Sequence, residues 1–309
     1  MILPDMTKWS SEQIGDLKGK RIIVTGGASG IGFSASEALA ARGAALILAV
    51  RSVPKGEKAA ARIRGLHPAA DVTVMHLDLA DLKSVRKFTA EFMDHFDRLD
   101  LLINNAGVMI PPYSKTKDGF ELQFGTNHLG HFALTALLLP LLLATPHSRI
   151  VSISSIAARS GRINFKNLDG AHRYNPMTFY RQSKLANLLF AVELQHRLES
   201  AGASTISVAC HPGISVTNLL SRGSGKETGR IMKAMMSFVA QPAAKGALPT
   251  LYAATHPDLR GGEYIGPDGH GNHRGDPVIT NEATRLFKPE LAARLWNVSE
   301  ELTGVKFPI

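Results

Sequence analysis

The architecture of this chain follows from one segment, Arg21-Ile22-Ile23-Val24-Thr25-Gly26-Gly27-Ala28-Ser29-Gly30-Ile31-Gly32. Its first residues form a short β-branched run, which is typical of a buried parallel strand. The alanine-rich stretch from Ala35 to Arg42 predicts a helix directly after the glycines. A glycine-rich turn between a strand and a helix brings backbone amides and the positive helix end close to a pyrophosphate. The segment therefore predicts a nucleotide-binding turn, and the alternative is a tight turn that binds nothing.

The next strand is predicted over Ala45 to Val50, and Arg51 lies just past its end. In dinucleotide folds an acidic residue at this point bonds the adenosine ribose of NAD, whereas an arginine accommodates the 2′-phosphate of NADP. Val50 and Arg51 offer no carboxylate, which favours NADP(H) and leaves NAD(H) as the alternative. Arg51 could also be an ordinary exposed cation that stacks on either adenine.

Strand and helix patterns alternate four times along the first third of the chain. Helices are predicted over residues 54–65 and 82–96, and strands over residues 71–76 and 99–103. This alternation favours an α/β fold with a doubly wound parallel sheet of about seven strands and helices on both faces. No linker or repeat divides the chain, so one domain is expected over residues 1–309, with residues 1–18 as an N-terminal extension.

Further ligand contacts are expected where the strands end. Asp78 and Leu79 follow the third strand, and Asp78 could bond an adenine amino group or cap the next helix, for which Asp81 is a rival. The small and amide residues from Asn104 to Gly107 follow the fourth strand, where backbone can approach a ligand closely. Pro212 and Gly213 follow the sixth strand, predicted over residues 205–209.

Tyr180 and Lys184 are four residues apart in a predicted helix and therefore share a face. A nearby cation favours a phenolate, so Lys184 is expected to lower the pKa of Tyr180 and let it exchange a proton with an alcohol or carbonyl oxygen. The alternative is a packed ring beneath a solvated ammonium. Ser155, just after the fifth strand at residues 149–153, could hydrogen-bond the same oxygen. Asn127, in a helix predicted over residues 119–143, could serve a water relay or a structural hydrogen bond.

Composition excludes several other functions. The net charge is +9, but the basic residues are scattered and aromatic residues make up only 6%, so an anionic cofactor is a better partner than nucleic acid. Cys210 is the single cysteine, which excludes an internal disulfide and a cysteine zinc cluster, and a buried thiol is expected. His128 and His131 lack an acidic partner at metal-ligand spacing, so they are predicted to be helix-surface or core residues.

No membrane segment is predicted. Residues 1–9 lack a basic flank followed by an apolar signal core. The most apolar stretch, Leu134 to Leu143, contains Pro140 and is too short to span a bilayer. A cytoplasmic protein without stable membrane insertion is therefore expected.

Together these motifs resemble the short-chain dehydrogenase/reductase family from about Lys20 to Gly266, which implies a Rossmann-type fold. Within that resemblance Asn127, Ser155, Tyr180 and Lys184 match the family's catalytic tetrad. Tyr180 would donate a proton to the alkoxide, Ser155 would orient the oxygen, Lys184 would hold the nicotinamide ribose, and Asn127 would position a water. The cofactor contacts implied are Gly26, Ser29, Gly30, Ile31, Arg51, Asp78, Leu79, Asn105, Ala106, Gly107, Tyr180, Lys184, Pro212 and Gly213. The resemblance requires no metal.

The stretches Thr126 to Phe132 and Ser183 to Asn187, with the long Ser155-to-Tyr180 insertion, look most like the retinol dehydrogenase and WW-domain oxidoreductase branch. The cysteines of the related protochlorophyllide reductases are missing. Ser29 replaces the basic residue that many NADP-dependent members carry in the glycine loop, so Arg51 is the main support for NADP. Dimers or tetramers are common among proteins of this resemblance, so a homodimer or homotetramer is possible.

A substrate lid is expected over residues 214–241. This segment contains Met232, Met235, Met236 and Phe238, an adaptable apolar set that suits a lipophilic ligand, although helix core explains it equally well. The predicted function is hydride transfer between NADP(H) and a carbonyl or alcohol of a lipophilic small molecule. The alternatives are an NAD-linked alcohol dehydrogenase and a nucleotide-binding sensor with little turnover.

Overall fold

A computed structural model describes residues 8–214 and 241–309 of the chain. Within these residues eight strands form one sheet in the order β3-β2-β1-β4-β5-β6-β7-β8. The strands are β1 Arg21–Thr25, β2 Ala45–Val50, β3 Val72–His76, β4 Leu101–Asn104, β5 Arg149–Ile153, β6 Ile206–Cys210, β7 Tyr264–Pro267 and β8 Pro277–Thr280. The first seven are parallel and β8 is antiparallel to β7. This arrangement confirms the predicted doubly wound α/β fold of the Rossmann type.

Helices cover both faces of the sheet because alternate strand residues face opposite sides. In β1, Ile22 and Val24 belong to one buried apolar cluster and Ile23 belongs to another. The first cluster includes residues of α1 (Gly30–Ala40), α2 (Val53–Leu66) and α6 (Ala243–Thr255). The second includes residues of α3 (Leu82–His95), α4 (Leu122–Ala144), α5 (Pro176–Ser200) and α8 (Pro289–Thr303). A short helix, α7 (Glu282–Leu286), precedes α8.

The eighth strand is a difference from the sequence prediction. It begins with Pro277 and lies at the sheet edge, and Val278 and Ile279 are 37% and 56% exposed. Proline removes a backbone donor and is confined to edge positions, so this segment has little of the pattern that marks a buried strand. It pairs antiparallel with β7 and is the edge strand on that side of the sheet.

Helix α4 begins at Leu122, three residues later than predicted. The preceding Glu121 accepts hydrogen bonds from the backbone N–H groups of Gln123 at 3.0 Å and Phe124 at 2.7 Å, and these contacts fix the helix start. Gly119 has a φ of +88° and belongs to the turn before the helix. Residues Gly125–Leu129 form a π-helical turn inside α4, which the sequence pattern does not predict.

Helix α4 meets the length and hydropathy of a membrane span, with a mean hydropathy of 1.4 over its most apolar window. However, 72% of that window is buried inside the protein, where α4 contacts α3 and α5. The apolar composition of α4 is therefore that of a buried core helix. The predicted cytoplasmic location and the possible homo-oligomer stay predictions. The predicted lid lies outside the described residues except for Ile214 and Gln241 at its ends.

The site is defined by one edge of the sheet. Because β1 to β7 are parallel, their carboxyl ends meet at this edge. Ligands of doubly wound sheets bind in the crevice outside these ends. In this chain the order β3-β2-β1-β4-β5 changes direction between β1 and β4, so the glycine turn after β1 and the amide segment after β4 are neighbours.

Candidate active site

A cleft opens at the carboxyl edge beside the glycine turn. It is lined by Gly26, Ala28, Ser29, Ala49, Val50, Arg51, Ser52, Lys55, Leu77, Asp78, Leu79, Ala106, Gly107, Val108 and Thr126. These residues come from the ends of β1, β2, β3 and β4 and from α4. Many of the predicted cofactor contacts therefore meet in one place, and the predicted residues Gly30 and Ile31 lie in the first turn of α1 next to it.

Gly26 shows why the turn needs glycine. Its φ is +66°, a left-handed conformation that L side chains rarely adopt. A Cβ at this position would lie 3.1 Å from the Cα of Ala106 on the neighbouring strand end. The backbone N–H of Gly26 donates to the carbonyl oxygen of Ala49 at 2.8 Å, so the turn is fixed against β2. The result is a backbone cradle without side chains.

The end of β2 carries more polar groups than the sequence prediction included. Arg51 is exposed at the cleft, and Ser52 and Lys55 line it as well. Ser52 is the N-cap of α2 and Lys55 lies in its first turn. Both follow Arg51 at the strand–helix junction, and this position is the signal that could have identified them.

The two aspartates after β3 have different roles. Asp81 accepts hydrogen bonds from the N–H groups of Lys83 at 3.0 Å and Ser84 at 3.3 Å, so it caps α3. Asp78 lines the cleft, and its Oδ1 accepts from the N–H of Ala80 at 3.0 Å. The capping interpretation therefore applies to Asp81, and Asp78 keeps its position beside the predicted adenine site.

Asn105, a predicted cofactor contact, is not among the residues that line the cleft. Its Nδ2 donates to the carbonyl oxygen of Thr25 at 2.7 Å and therefore braces β1 against β4. The missing side chain of Gly32 makes room for this amide, because a Cβ there would lie 2.4 Å from Nδ2 of Asn105. Ala106 and Gly107, the next residues, do face the cleft.

Pro212 and Gly213 lie after β6 at the same edge but are not among the residues that line the cleft. The N–H of Gly213 donates to Nδ1 of His211 at 3.2 Å, and Gly213 has a φ of +66°. The carbonyl oxygen of Pro212 accepts from Nε2 of Gln241 at 2.9 Å. These contacts fix the turn that follows β6.

Helix α5 brings Tyr180 and Lys184 to this edge. The helix starts where Asn175 accepts from the N–H of Thr178 at 2.9 Å and where Pro176 occupies the first turn. Both predicted side chains are buried, with 6% of Tyr180 and 4% of Lys184 exposed. Nζ of Lys184 donates to the carbonyl oxygen of Ile153 at 3.1 Å and lies 5.9 Å from the Tyr180 ring centroid.

The expected lowering of the Tyr180 pKa is wrong for this structure. Burial raises the pKa of Tyr180, and the Ser155 hydroxyl that faces it opposes this rise only in part. Burial lowers the pKa of Lys184 to about 8. The physical reason is that both groups lose water, while the ammonium is hydrogen-bonded to Ile153 and lies near the ring. The phenol is therefore protonated at neutral pH.

The two serines after β5 differ in their contacts. Oγ of Ser154 donates to the carbonyl oxygen of Lys184 at 2.7 Å, which ties β5 to α5. Ser155 is half-buried and begins the 3₁₀ helix Ile156–Ser160, where its Oγ accepts from the N–H of Ala157 at 3.2 Å. Only the second serine thus faces Tyr180, as the resemblance implies.

The Asn127 side chain forms hydrogen bonds with Val108 and Ser183, as the structural alternative expects, and its predicted role in positioning a water stays a prediction. Oδ1 accepts from the N–H of Val108 at 2.8 Å. Nδ2 donates to the carbonyl oxygen of Val108 and to Oγ of Ser183, both at 3.0 Å. A Cβ on Gly107 would lie 3.1 Å from Oδ1 of Asn127 and 3.8 Å from Nζ of Lys184, so Gly107 joins the cleft to the Lys184 side chain.

His128, His131 and Cys210 are core residues, as predicted. Burial lowers the pKa of His128 to about 3 and that of His131 to about 4, so both rings are neutral at physiological pH. Burial raises the pKa of the Cys210 thiol to about 12. Within residues 8–214 and 241–309 no group of three His, Cys, Asp or Glu side chains has the geometry of a metal site.

Comparison with known proteins agrees with this geometry. The sequence profile described as "short chain dehydrogenase" matches residues 20–227. Human retinol dehydrogenase 11 is 43% identical over 289 residues, which cover 94% of this chain and 87% of that protein. Human retinol dehydrogenase 13 is 42% identical over 303 residues, covering 94% and 87% of the two chains.

Solved structures are similar as well. A protein from Mycobacterium paratuberculosis is 42% identical, with a TM-score of 0.79 over 98% of this chain and 100% of that one. A short chain dehydrogenase from Shigella flexneri, solved as a complex with NADP, has a TM-score of 0.62 over 79% of this chain and 95% of that one. At 23% identity it shows a shared fold alone. This chain is an NAD(P)-dependent oxidoreductase that acts on alcohol and carbonyl groups, and it belongs to the short-chain dehydrogenase/reductase family.

Proposed function

We propose that this protein transfers hydride reversibly between NADP(H) and the carbonyl or alcohol group of a lipophilic small molecule. The observation that carries the proposal is the position of Tyr180. Its protonated, buried hydroxyl faces Ser155, and Lys184 beside it adjoins Gly107 at the inner end of the nucleotide cleft. A proton donor, a second hydroxyl and a cation thus converge where the cleft ends.

The residues of the cleft fit a dinucleotide. The Gly26 turn offers a cradle that any Cβ would fill, and the first turn of α1 presents backbone N–H groups to an anion. When bound, the cofactor supplies or accepts the hydride at its nicotinamide. Lys184 would bind the adjacent ribose hydroxyls with its ammonium, as the family resemblance implies.

During reduction Tyr180 supplies the proton and Ser155 orients the carbonyl oxygen of the substrate. The Ser155 hydroxyl donates a hydrogen bond to the carbonyl oxygen and holds it near the Tyr180 hydroxyl. Tyr180 then gives its proton to the oxygen as negative charge develops there, and the phenolate that remains is stabilised by the charge of Lys184. With a pKa of about 8, Lys184 keeps that charge at neutral pH. Oxidation of an alcohol runs through the same groups in reverse.

The preference for NADP rests on the end of β2. Arg51 and Lys55 place positive charge there, Ser52 adds a hydroxyl, and no carboxylate follows Val50. A 2′-phosphate would form charge-assisted hydrogen bonds with these groups. The lipophilic substrate class rests on the relatives, which are named for retinol, an apolar alcohol.

Substitution of Tyr180 by phenylalanine tests the reaction. Tyr180→Phe should lower kcat for NADPH-dependent reduction of retinal or a long-chain aldehyde by roughly 100-fold to 10,000-fold, with little change in NADPH affinity. Tyr252→Phe is a matched control, because Tyr252 packs beside Trp9 and His256 outside the cleft. Full activity in Tyr180→Phe would disprove the role of Tyr180. NADPH binding without turnover by the unmodified protein, across a broad panel of aldehydes and ketones, would instead favour a nucleotide sensor.

The cofactor preference has its own test. Dissociation constants for NADPH and NADH are compared in the unmodified protein and in Arg51→Ala. Loss of the arginine should weaken NADPH binding by about tenfold to 100-fold and leave NADH binding nearly unchanged, because only NADPH carries the 2′-phosphate. Equal losses for both cofactors, or tighter NADH binding by the unmodified protein, would favour the NAD-linked alternative.

A further inference from the structure

Two sets of hydrogen bonds meet at Asn127, in the interior between the glycine turn and α5: one reaches its main-chain carbonyl group and the other starts at its side-chain amide. The central member of the first set is His131, which is buried in α4. Nε2 of His131 lies 2.9 Å from Oγ1 of Thr25, and Nδ1 lies 2.9 Å from the carbonyl oxygen of Asn127. Thr25 is the last residue of β1, and Asn127 lies in the π-helical turn. His131 therefore joins the strand that feeds the cofactor loop to a member of the proposed tetrad.

These partners determine the tautomer of the ring. The carbonyl oxygen of Asn127 can only accept, so Nδ1 of His131 must carry the hydrogen and donate it. Nε2 is then an acceptor, and the Thr25 hydroxyl donates to it. The competing acceptor for that hydroxyl, the carbonyl oxygen of Ile103, is more distant at 3.3 Å. Oγ1 of Thr25 in turn accepts from the N–H groups of Asn105 at 2.8 Å and Ala106 at 2.9 Å.

The second set of hydrogen bonds leads from Asn127 to Tyr180. The amide of Asn127 donates to Oγ of Ser183, and Ser183 donates to the carbonyl oxygen of Tyr180 at 2.9 Å. The same amide holds both the N–H and the carbonyl oxygen of Val108. Thr25 therefore holds one end of residues 105–108 and Asn127 holds the other. This segment carries Ala106, Gly107 and Val108 into the cleft.

We propose that His131 is a positioning residue of the active site, which donates from Nδ1 to the main-chain carbonyl group of Asn127 and so holds the backbone from which the Asn127 amide reaches residues 105–108 and α5. Thr25 locks the tautomer that makes this donation possible. The two sets of hydrogen bonds share the residue Asn127 but no hydrogen-bonding group, so His131 acts on the amide through the position of the Asn127 backbone. The role rests on the proposed function, because its kinetic effect needs a turnover to measure.

Three substitutions at His131 separate this role from simple packing. His131→Phe removes both hydrogen bonds and should lower kcat by about tenfold to 100-fold, and NADPH affinity should fall as well because residues 106–108 line the cleft. His131→Asn keeps a donor at the Nδ1 position and should retain kcat within about threefold of the unmodified protein. The amide of the His131→Gln variant reaches only the Nε2 position. Its kcat should therefore fall as much as that of His131→Phe. Thermal unfolding of each variant verifies that it folds.

The matched control is His128→Phe. His128 is a buried histidine in the same helix, but its Nε2 contacts Oγ of Ser299 in α8 at 2.9 Å, away from the cleft. His128→Phe should lower kcat clearly less than His131→Phe does, because the His128 side chain bonds Ser299 and Asn187 and not Thr25 or Asn127. In an Asn127→Ala background, His131→Phe should cause little additional loss of kcat if it acts through the Asn127 amide.

A second readout does not depend on turnover. Imidazole ¹⁵N NMR of the protein at neutral pH, assigned by comparison with His131→Asn, should show His131 protonated at Nδ1 and not at Nε2. An Nε2–H tautomer, additive losses of kcat in the Asn127→Ala background, or a slow His131→Asn variant would each overturn the proposal. An unmodified protein without turnover would instead overturn the proposed function, and the NMR result would still test the hydrogen bonds of His131.

Discussion

Gly32 has room for a hydrogen and nothing larger. A Cβ at this position would lie 2.4 Å from Nδ2 of Asn105 and 2.7 Å from the carbonyl oxygen of Gly26. Neither atom can move freely, since the Asn105 amide is bonded to Thr25 and Gly26 belongs to the cofactor cradle. Gly32→Ala should therefore lower the free energy of unfolding by about 1–3 kcal/mol and weaken NADPH binding. Urea unfolding and NADPH fluorescence titration measure the two effects.

Gly65 provides the matched control for this prediction. It also lies in a helix, α2, but a Cβ there would meet nothing within 4 Å. Alanine has a higher helix propensity than glycine, so Gly65→Ala should raise the free energy of unfolding by up to about 1 kcal/mol. If both variants changed stability alike, the steric explanation for Gly32 would be wrong.

At the residue scale, motif spacing predicted which side chains lie together, but it did not predict how burial changes their pKa values. Tyr180, Lys184 and Ser155 lie together as predicted, because residue spacing on a helix and the common edge of parallel strands place them. The direction of the Tyr180 pKa shift depends on burial, which spacing does not reveal. Asn105 was predicted as a ligand contact, yet its amide bonds Thr25, a partner 80 residues away in sequence.

Arg159 connects the 3₁₀ helix after Ser155 to an element that is distant in sequence. It lies in the 3₁₀ helix that follows Ser155, and its guanidinium donates to the carboxylate of Glu282 at the start of α7. It also donates to the carbonyl oxygen of Gly271 at 2.8 Å and to the Asn272 side chain. Arg159→Met should therefore lower the free energy of unfolding by about 2–4 kcal/mol, because it leaves the buried Glu282 carboxylate without its cation.

A double-mutant cycle tests this explanation. Burial pushes the pKa of Glu282 upward, but the Thr280 hydroxyl and the Arg159 charge outweigh it and hold the pKa below its ordinary value. Adding Glu282→Gln to Arg159→Met should recover at least about 1 kcal/mol of the loss, because no charge is then left buried. Lys115→Met, which breaks an exposed pair with Asp169, should have little effect. If the losses of unfolding free energy in Arg159→Met and Glu282→Gln were strictly additive, the buried-charge explanation would be wrong.

At the element scale, long apolar runs made most of the fold predictable. The strands β1, β2 and β5 begin within a residue or so of their predicted bounds, because buried parallel strands are continuous apolar runs. The edge strand β8 and the π-helical turn were not predicted. The first pairs only with β7 at the sheet edge, and the second contains Asn127, whose amide contacts Val108 and Ser183; neither leaves a periodic pattern in sequence.

At the scale of the molecule, three histidines are buried among the residues that the structure describes: His128, His131 and His211. His131 lies below the glycine turn, His128 packs among Phe124, Phe132 and Phe190, and His211 lies next to Tyr264. Burial lowers the pKa of His128 to about 3, that of His131 to about 4 and that of His211 to about 3. An unfolded histidine has a pKa near 6.5, so the unfolded chain binds more protons than the folded chain between these values.

The sign of the resulting pH dependence follows from this difference. Stability falls wherever the unfolded state takes up protons on acidification that the folded state does not. Above about pH 6.5 the neutral rings cause no loss of unfolding free energy. Below that pH the unfolding free energy falls until the pH reaches the folded pKa of each ring. Each ring should add about 1 kcal/mol per pH unit to the slope of unfolding free energy between about pH 5 and pH 6.

His128→Phe should therefore reduce that slope by about 1 kcal/mol per pH unit, as measured by urea unfolding at several pH values. Phe132→Leu is the control, since Phe132 packs against His128 and is equally buried but does not titrate. It should lower the free energy of unfolding by a similar amount at every pH and leave the slope unchanged. A slope in His128→Phe equal to that of the unmodified protein would show that this ring takes up no proton on acid unfolding, and the acid sensitivity would then belong to the carboxylates.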